Sequence, residues 1–166
     1  MSIERFISDV KTRGVARTNR YEVNINPPVA DGSILTLACE ETALPGRGYS
    51  TSPRAMHGPV QYIPYDKLYN EIAMTFRCSR EMTEKKIFDD WLAYISPSDS
   101  HEYRFFNSYV SDITINQLDE KNSKTYSVDL YDAYPTTVTD LGLSQNQNEY
   151  HRLQVTFRYT RYTTSR

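Results

Sequence analysis

The chain has 166 residues, 39% of them hydrophobic, which is most simply read as one domain over residues 1–166 with one core. Its 19 basic and 21 acidic residues leave a net charge of -2, so the overall balance points neither to nucleic acid nor to a membrane surface. Mean hydropathy is low at -0.64, yet 14 tyrosines lift the aromatic share to 13%. Tyrosine covers apolar area and keeps a polar tip in water, a composition suited to half-exposed sheets and protein contacts.

Cys39 and Cys78 each fall on the apolar register of a predicted strand and read as buried thiols. Two isolated cysteines without a signal peptide fit a reducing cytosol. The start, Met1-Ser-Ile-Glu-Arg-Phe, has no apolar leader and no run reaches membrane-spanning length, so the expectation is a chain folded in a cytoplasm.

Ile3, Phe6, Ile7 and Val10 recur at helical spacing up to Gly14, predicting a short amphipathic helix over 1–14 that must dock on its own domain or on a neighbouring copy. Tyr21-Glu-Val-Asn-Ile-Asn alternates until Pro27 and Pro28. Asp31-Gly32 supplies turn chemistry, and Leu35, Leu37 and Cys39 resume the alternation over Ile34 to Thr42, so the two segments read as a hairpin. From Leu44 to Lys67, four prolines and three glycines dissolve the pattern. A stretch of that length without regular period is commonly functional or disordered. The recurrence of Tyr49, Met56, Val60, Tyr62, Ile63 and Tyr65 argues against disorder, and residues 44–67 read as an extended arm, partly strand-like, whose apolar side chains need a partner surface.

Asn70 to Ser79 alternates Ile72, Met74, Phe76 and Cys78 and predicts a strand. Ser79 can cap a helix over Glu81 to Ile95, with Ile87, Phe88, Trp91, Leu92 and Ile95 as the core stripe and Glu84, Lys85, Lys86, Asp89 and Asp90 solvated. Tyr103 to Asn107 reads as short and extended; Tyr109 to Leu118 and Thr125 to Asp132 form a second hairpin around the turn Asp119 to Lys124. Pro135 and the turn at Asp140 to Gly142 interrupt the chain before a last strand, Leu153 to Tyr162. The strict alternation of Tyr126, Val128, Leu130 and of Leu153, Val155, Phe157, Tyr159 makes these the clearest half-buried strands.

Catalytic chemistry finds little footing. His57, His101 and His151 stand in polar or turn contexts without ligand-spaced partners, which disfavours a metal. Asp89 and Asp90 diverge by about 100° on a helix and do not converge on a substrate. Gly46-Arg-Gly48 lacks the rest of a phosphate-binding loop. The arginines near each end, including Arg17, Arg20, Arg158 and Arg161, are offset by the acidic residues and accompany no nucleic-acid signature. No catalytic residue, metal or cofactor is therefore expected.

The ordered set Ala16-Arg-Thr-Asn-Arg-Tyr-Glu-Val-Asn-Ile25, Cys39 with Ala43-Leu-Pro-Gly46, Phe88-Asp-Asp-Trp91, Asp132-Ala-Tyr-Pro-Thr-Thr-Val138 and Leu153-Gln-Val-Thr-Phe157 resembles the tail tube proteins of contractile-tailed, T4-like bacteriophages. The resemblance implies a mainly β, α+β fold: an antiparallel β-sandwich or barrel with a flanking helix and a short N-terminal helix. It implies a structural virion protein, assembled in the host cytoplasm, whose hexameric rings stack into a hollow tube inside a sheath. Baseplate and tail-terminator proteins would close the ends, and DNA would pass without sequence-specific binding. The N-terminal helix and the arm then gain partners in adjacent copies, through Phe6, Val10, Leu44, Pro45, Gly46, Tyr49, Met56, Tyr62 and Tyr65. Glu40, Asp112 and Asp129, on polar strand faces, are candidates for charge facing the bore, where negative charge would repel phosphate. Alternatives are a baseplate or tube-initiating protein of the same fold, the tube of a phage-like injection particle without DNA, and a monomeric carbohydrate-binding module using Tyr62, Tyr65 or Tyr69.

Overall fold

The computed structural model describes residues 2–55, 58–98, 102–146 and 148–165. In chain order the elements are α1 (Ile3–Arg13), β1 (Tyr21–Ile25), α2 (Ser33–Ala38), β2 (Cys39–Glu41), β3 (Arg47–Arg54), β4 (Gln61–Tyr69), β5 (Ile72–Arg77), α3 (Thr83–Ile95), α4 (Phe106–Tyr109), β6 (Ser111–Leu118), β7 (Lys124–Val138), β8 (Arg152–Arg158) and β9 (Arg161–Ser165). The main antiparallel sheet runs β1-β6-β7-β8-β5-β2, with β9 added beside β7, while β3 and β4 form a two-stranded sheet of their own. The Tyr21 hydroxyl donates to the Cys39 carbonyl at 3.3 Å, a side-chain contact that brings β1 near β2 without pairing their backbones, so the sheet is nearly closed into a barrel while the backbone edge of β1 stays unpaired.

The alternating strands behave as their sequence demands. Val23, Ile25, Met74, Phe76, Ile113, Ile115, Val128, Leu130, Leu153, Val155 and Phe157 all point into one core. Helix α3 closes it: Phe88 lies 5.0 Å from Phe76 and 5.9 Å from Phe157 between ring centroids, and Trp91 donates its indole N–H to the Tyr109 carbonyl at 2.8 Å. Each such ring, fully buried, contributes about 1.5–3 kcal/mol.

The expected hairpin between Tyr21 and Thr42 does not form. Residues 33–38 are helical; β1 pairs with β6 and the short β2 pairs with β5. Leu35 and Ala38, three apart, are buried, while Leu37 is 83% exposed, so the local period is helical. Asp31 starts this turn by accepting the Ser33 N–H at 3.0 Å. Residues 106–109 likewise turn helical where an extended segment is expected.

Helix α3 begins at Thr83, two residues later than expected. Ser79 still serves its start: its hydroxyl accepts the Thr83 N–H at 3.3 Å, while the Glu84 carboxylate accepts both the N–H and the O–H of Ser79 at 2.8 Å. Glu84, expected among the solvated charges, is only 4% exposed for this reason. Burial by itself raises its pKa, but the hydrogen bonds from Ser79, with Arg77 nearby, outweigh it and hold the carboxyl below its ordinary value.

Pro135 does not end its strand. β7 runs on to Val138 because two irregularities absorb the misfit. At the first, Asp132 takes the left-handed conformation, φ 55, and Tyr131 and Asp132 together oppose Asp112. The buried register shifts there from Val128 and Leu130 to Ala133 and Pro135. The C-terminal segment is likewise two strands, β8 and β9, broken at Tyr159 and Thr160, so Arg158 and Arg161 belong to different elements. Both cysteines are free and only half buried.

Candidate functional site

Within residues 44–67 the strand-like part is regular. These residues supply most of the β3–β4 hairpin, paired from Arg47 opposite Tyr69 to Arg54 opposite Gln61. Asp66 opposes Ser50 and Pro64 opposes Thr51, leaving Tyr65 as a bulge residue. A hairpin alone is marginally stable in water. This one nonetheless exposes Tyr49, Val60, Tyr62, Ile63, Tyr65 and Leu68, with Tyr65 72% exposed. Its base is tied to the body by rings: Tyr69 lies 6.0 Å from Tyr159 and 5.7 Å from Tyr162, and the Arg47 guanidinium stands 5.7 Å over Tyr162. Before the hairpin, Leu44 and Gly46 are exposed and Pro45 half-buried. Leu44 shares a cavity of about 240 Å³ with Tyr21, Thr42 and Ile115, and the buried Thr42 hydroxyl has no hydrogen-bond partner among the described residues. Met56 lies outside the described residues.

Helix α1 is a second unsatisfied apolar surface. Ser2 caps it by accepting the Arg5 N–H at 3.4 Å, and Gly14 ends it at φ 70, a conformation glycine adopts freely. Ile3, Phe6 and Ile7 face solvent, Phe6 at 63%, and Val10 is half-buried. A third, which the sequence reading missed, surrounds α4. Tyr103 and Phe105 are exposed there, and Phe106, Tyr109 and Tyr134 stack edge to face within 6.2 Å of one another. The density of aromatic residues over 103–109 is the signal that could have revealed it.

The outward face of β1, β6, β7 and β9 is polar. Two cross-strand rows cover it: Glu22, Asn116, Ser127, Ser165 and Asn24, Thr114, Asp129, Thr163. Asn116 donates to Glu22 at 3.2 Å, Ser127 donates to Asn116 at 2.8 Å, and Thr114 donates to Asp129 at 2.8 Å. Asp112 shares this face by alternation with Thr114, its carboxylate accepting the Asp132 N–H at 3.3 Å. Glu40 does not join them. It sits on β2, at the other end of the strand order, where Arg152 approaches it at 3.3 Å. β1 and β9 each pair on one side only, so this four-stranded face ends in two open edges.

Among the described residues the thiol of Cys39 and the phenol of Tyr21 are not activated as nucleophiles. Burial pushes the Cys39 thiol and the Tyr21 phenol up to about 12, the nearby Glu40 charge acting in the same direction on both. His151 is half-buried, its carbonyl accepting the Cys78 N–H at 3.0 Å. His57 and His101 lie outside the described residues. Among the described residues no three His, Cys, Asp or Glu side chains gather as a metal site, and no helix is long and apolar enough to cross a membrane.

The family model described as phage tail tube protein matches residues 16–165. The chain belongs to that family. Among solved structures, this chain is similar to a chain of an extracellular contractile injection system, the PVC sheath-tube complex in its extended state. That match has 16% identity and a TM-score of 0.71, over 99% of this chain and 98% of that one. A chain of the PVC sheath/tube terminator matches at 16% and 0.71, over 92% and 97%. One from the tube terminating cap of the anti-feeding prophage matches at 17% and 0.70, over 91% of both chains. No curated protein sequence matches. The fold is therefore shared with chains in contractile injection system structures, and the family is one of structural tube proteins.

Proposed function

We propose that the protein is the repeating subunit of the inner tube of a contractile phage tail, closing into six-membered rings that stack into a hollow conduit for DNA. The match to the tail tube family over residues 16–165 carries this reading. The open edges of β1 and β9 supply a physical means: one copy's β9 can extend the next copy's β1, so that the four-stranded faces join into a barrel without edges. The polar rows containing Glu22 and Asp129 then line the bore, as do Asp112 and its neighbours. Negative charge there repels phosphate and keeps DNA moving.

In the same reading the β3–β4 hairpin and α1 bridge copies in adjacent rings, giving Tyr49, Tyr62, Tyr65, Phe6 and Val10 the cover they lack in one chain. A sheath surrounds the tube, and baseplate and terminator proteins close its ends. Negative-stain microscopy of the purified protein tests the reading. Hollow rings or tubes are expected; a monomer at high concentration that binds oligosaccharides overturns it. The fold shared with extracellular contractile injection systems favours a second reading, a tube of the same build in a particle that carries no DNA. Recovery of the tube from virions with packaged genomes, or from genome-free particles, separates the two.

A further inference from the structure

The hairpin and the open edge strand β9 are tied to one point. Tyr69 ends β4, Tyr162 belongs to β9, and Tyr159 stands at the break between β8 and β9. Their rings contact one another at 6.0, 5.7 and 6.3 Å, at steep angles that favour edge-to-face attraction. Arg47, paired with Tyr69 across the hairpin base, adds its guanidinium 5.7 Å over Tyr162. Both residues that close the hairpin base therefore bear on the same β9 ring. Tyr159 is buried, and its hydroxyl has no hydrogen-bond partner among the described residues. Thr160 then donates to the Tyr131 carbonyl at 3.0 Å, setting β9 against β7.

We infer that Tyr69, Tyr159 and Tyr162 are positioning residues that couple the seating of the β3–β4 hairpin to the order of β9. The inference rests on the tube reading for its purpose: a hairpin engaged by a copy in the adjacent ring would firm the edge strand used within its own ring, so stacking would favour closure. The coupling itself is a property of the single chain. β9 is five residues at one sheet edge, and such strands open locally at low cost unless tied down.

The test is hydrogen–deuterium exchange on the full chain, with Tyr69→Ala, Tyr69→Phe and wild type compared in the same state of assembly. Tyr69 lies outside β9, yet Tyr69→Ala is expected to speed exchange over residues 161–165 by about tenfold or more. The amides of β5 and β6 should be unchanged. Tyr69→Phe keeps the ring and should match wild type. Unchanged protection of β9 in Tyr69→Ala overturns the coupling, as does equal acceleration throughout the sheet. Absence of rings or tubes in the wild type is a separate failure, of the tube reading alone.

Discussion

A Cβ built on Gly32 would stand 1.6 Å from the carbonyl oxygen of Ile25, an overlap that only backbone movement can relieve. Gly32 has an ordinary helical φ of -76°, so space and not conformational freedom demands glycine there. Gly32→Ala is expected to cost about 1–3 kcal/mol, read as a lowered denaturation midpoint. Glu84 is the second residue whose role is confined to one contact set. Replacing it with Gln weakens charge-assisted hydrogen bonds from Ser79, at a cost of about 1.5–3 kcal/mol near neutral pH. The sign with pH follows from the lowered pKa of a carboxylate. Its contribution is complete above the ordinary value of 4.5 and is lost as pH falls through the lower folded value. The stability gap between wild type and Glu84→Gln should therefore be constant from neutral pH down to about 4.5 and narrow from there as pH falls through the lower folded value. A gap that widens in acid would contradict the assignment.

Elements were legible in the sequence where one period ran unbroken. β5, β8 and the first half of β7 bury every second residue, as their alternation requires, and α3 buries the stripe through Ile87, Phe88 and Trp91. Legibility failed where two periods fit the same letters. Leu35, Leu37 and Cys39 alternate, but Leu35 and Ala38 satisfy a single helical turn, and six residues are too few for the sequence to choose. It failed again at β7, where the left-handed Asp132 resets the alternation and lets Pro135 stay inside a strand. The pairing of β1 with β6 joins segments about ninety residues apart, a distance over which local patterns carry no register. The candidate site divides the same way. Exposed aromatics in the hairpin were visible as apolar residues without a period, whereas its base cluster with Tyr159 and Tyr162 required the fold. At this scale the tube reading makes a clean separation. Tyr65→Asp, at an exposed bulge, should leave subunit stability within about 0.5 kcal/mol, while sedimentation should show long tubes replaced by single rings or free subunits.

At the scale of the whole molecule, the placement of charge decides what an assembled bore could carry. Of the three acidic residues singled out in the sequence, Asp112 and Asp129 share the face of β1, β6, β7 and β9, Glu22 joins them, and Glu40 is held by Arg152 at the far end of the strand order. Repetition around a ring would turn one such face into a wall on which Glu22, Asp112 and Asp129 outnumber Lys124, 3.9 Å from Glu22, and Arg161, opposite Tyr131; its effect on a polyanion is set by focusing in a narrow channel and not by the net charge of -2 on each chain. Glu22→Lys combined with Asp129→Lys removes the acceptors of Asn116 and Thr114 at some cost in subunit stability, but should leave tube length and diameter intact, because both side chains stand on the polar face and not in the core. Genome ejection from virions carrying the pair should slow by about tenfold or more, and added salt should relieve much of the delay as the new attraction to phosphate is screened. The matching reversal Glu40→Lys, outside the proposed wall, should leave ejection rates near wild type while breaking a half-buried contact set, the ion pair with Arg152 at 3.3 Å and the hydrogen bond from the Tyr150 hydroxyl at 3.4 Å. Equal slowing by both substitutions would show that the bore is lined by some other face.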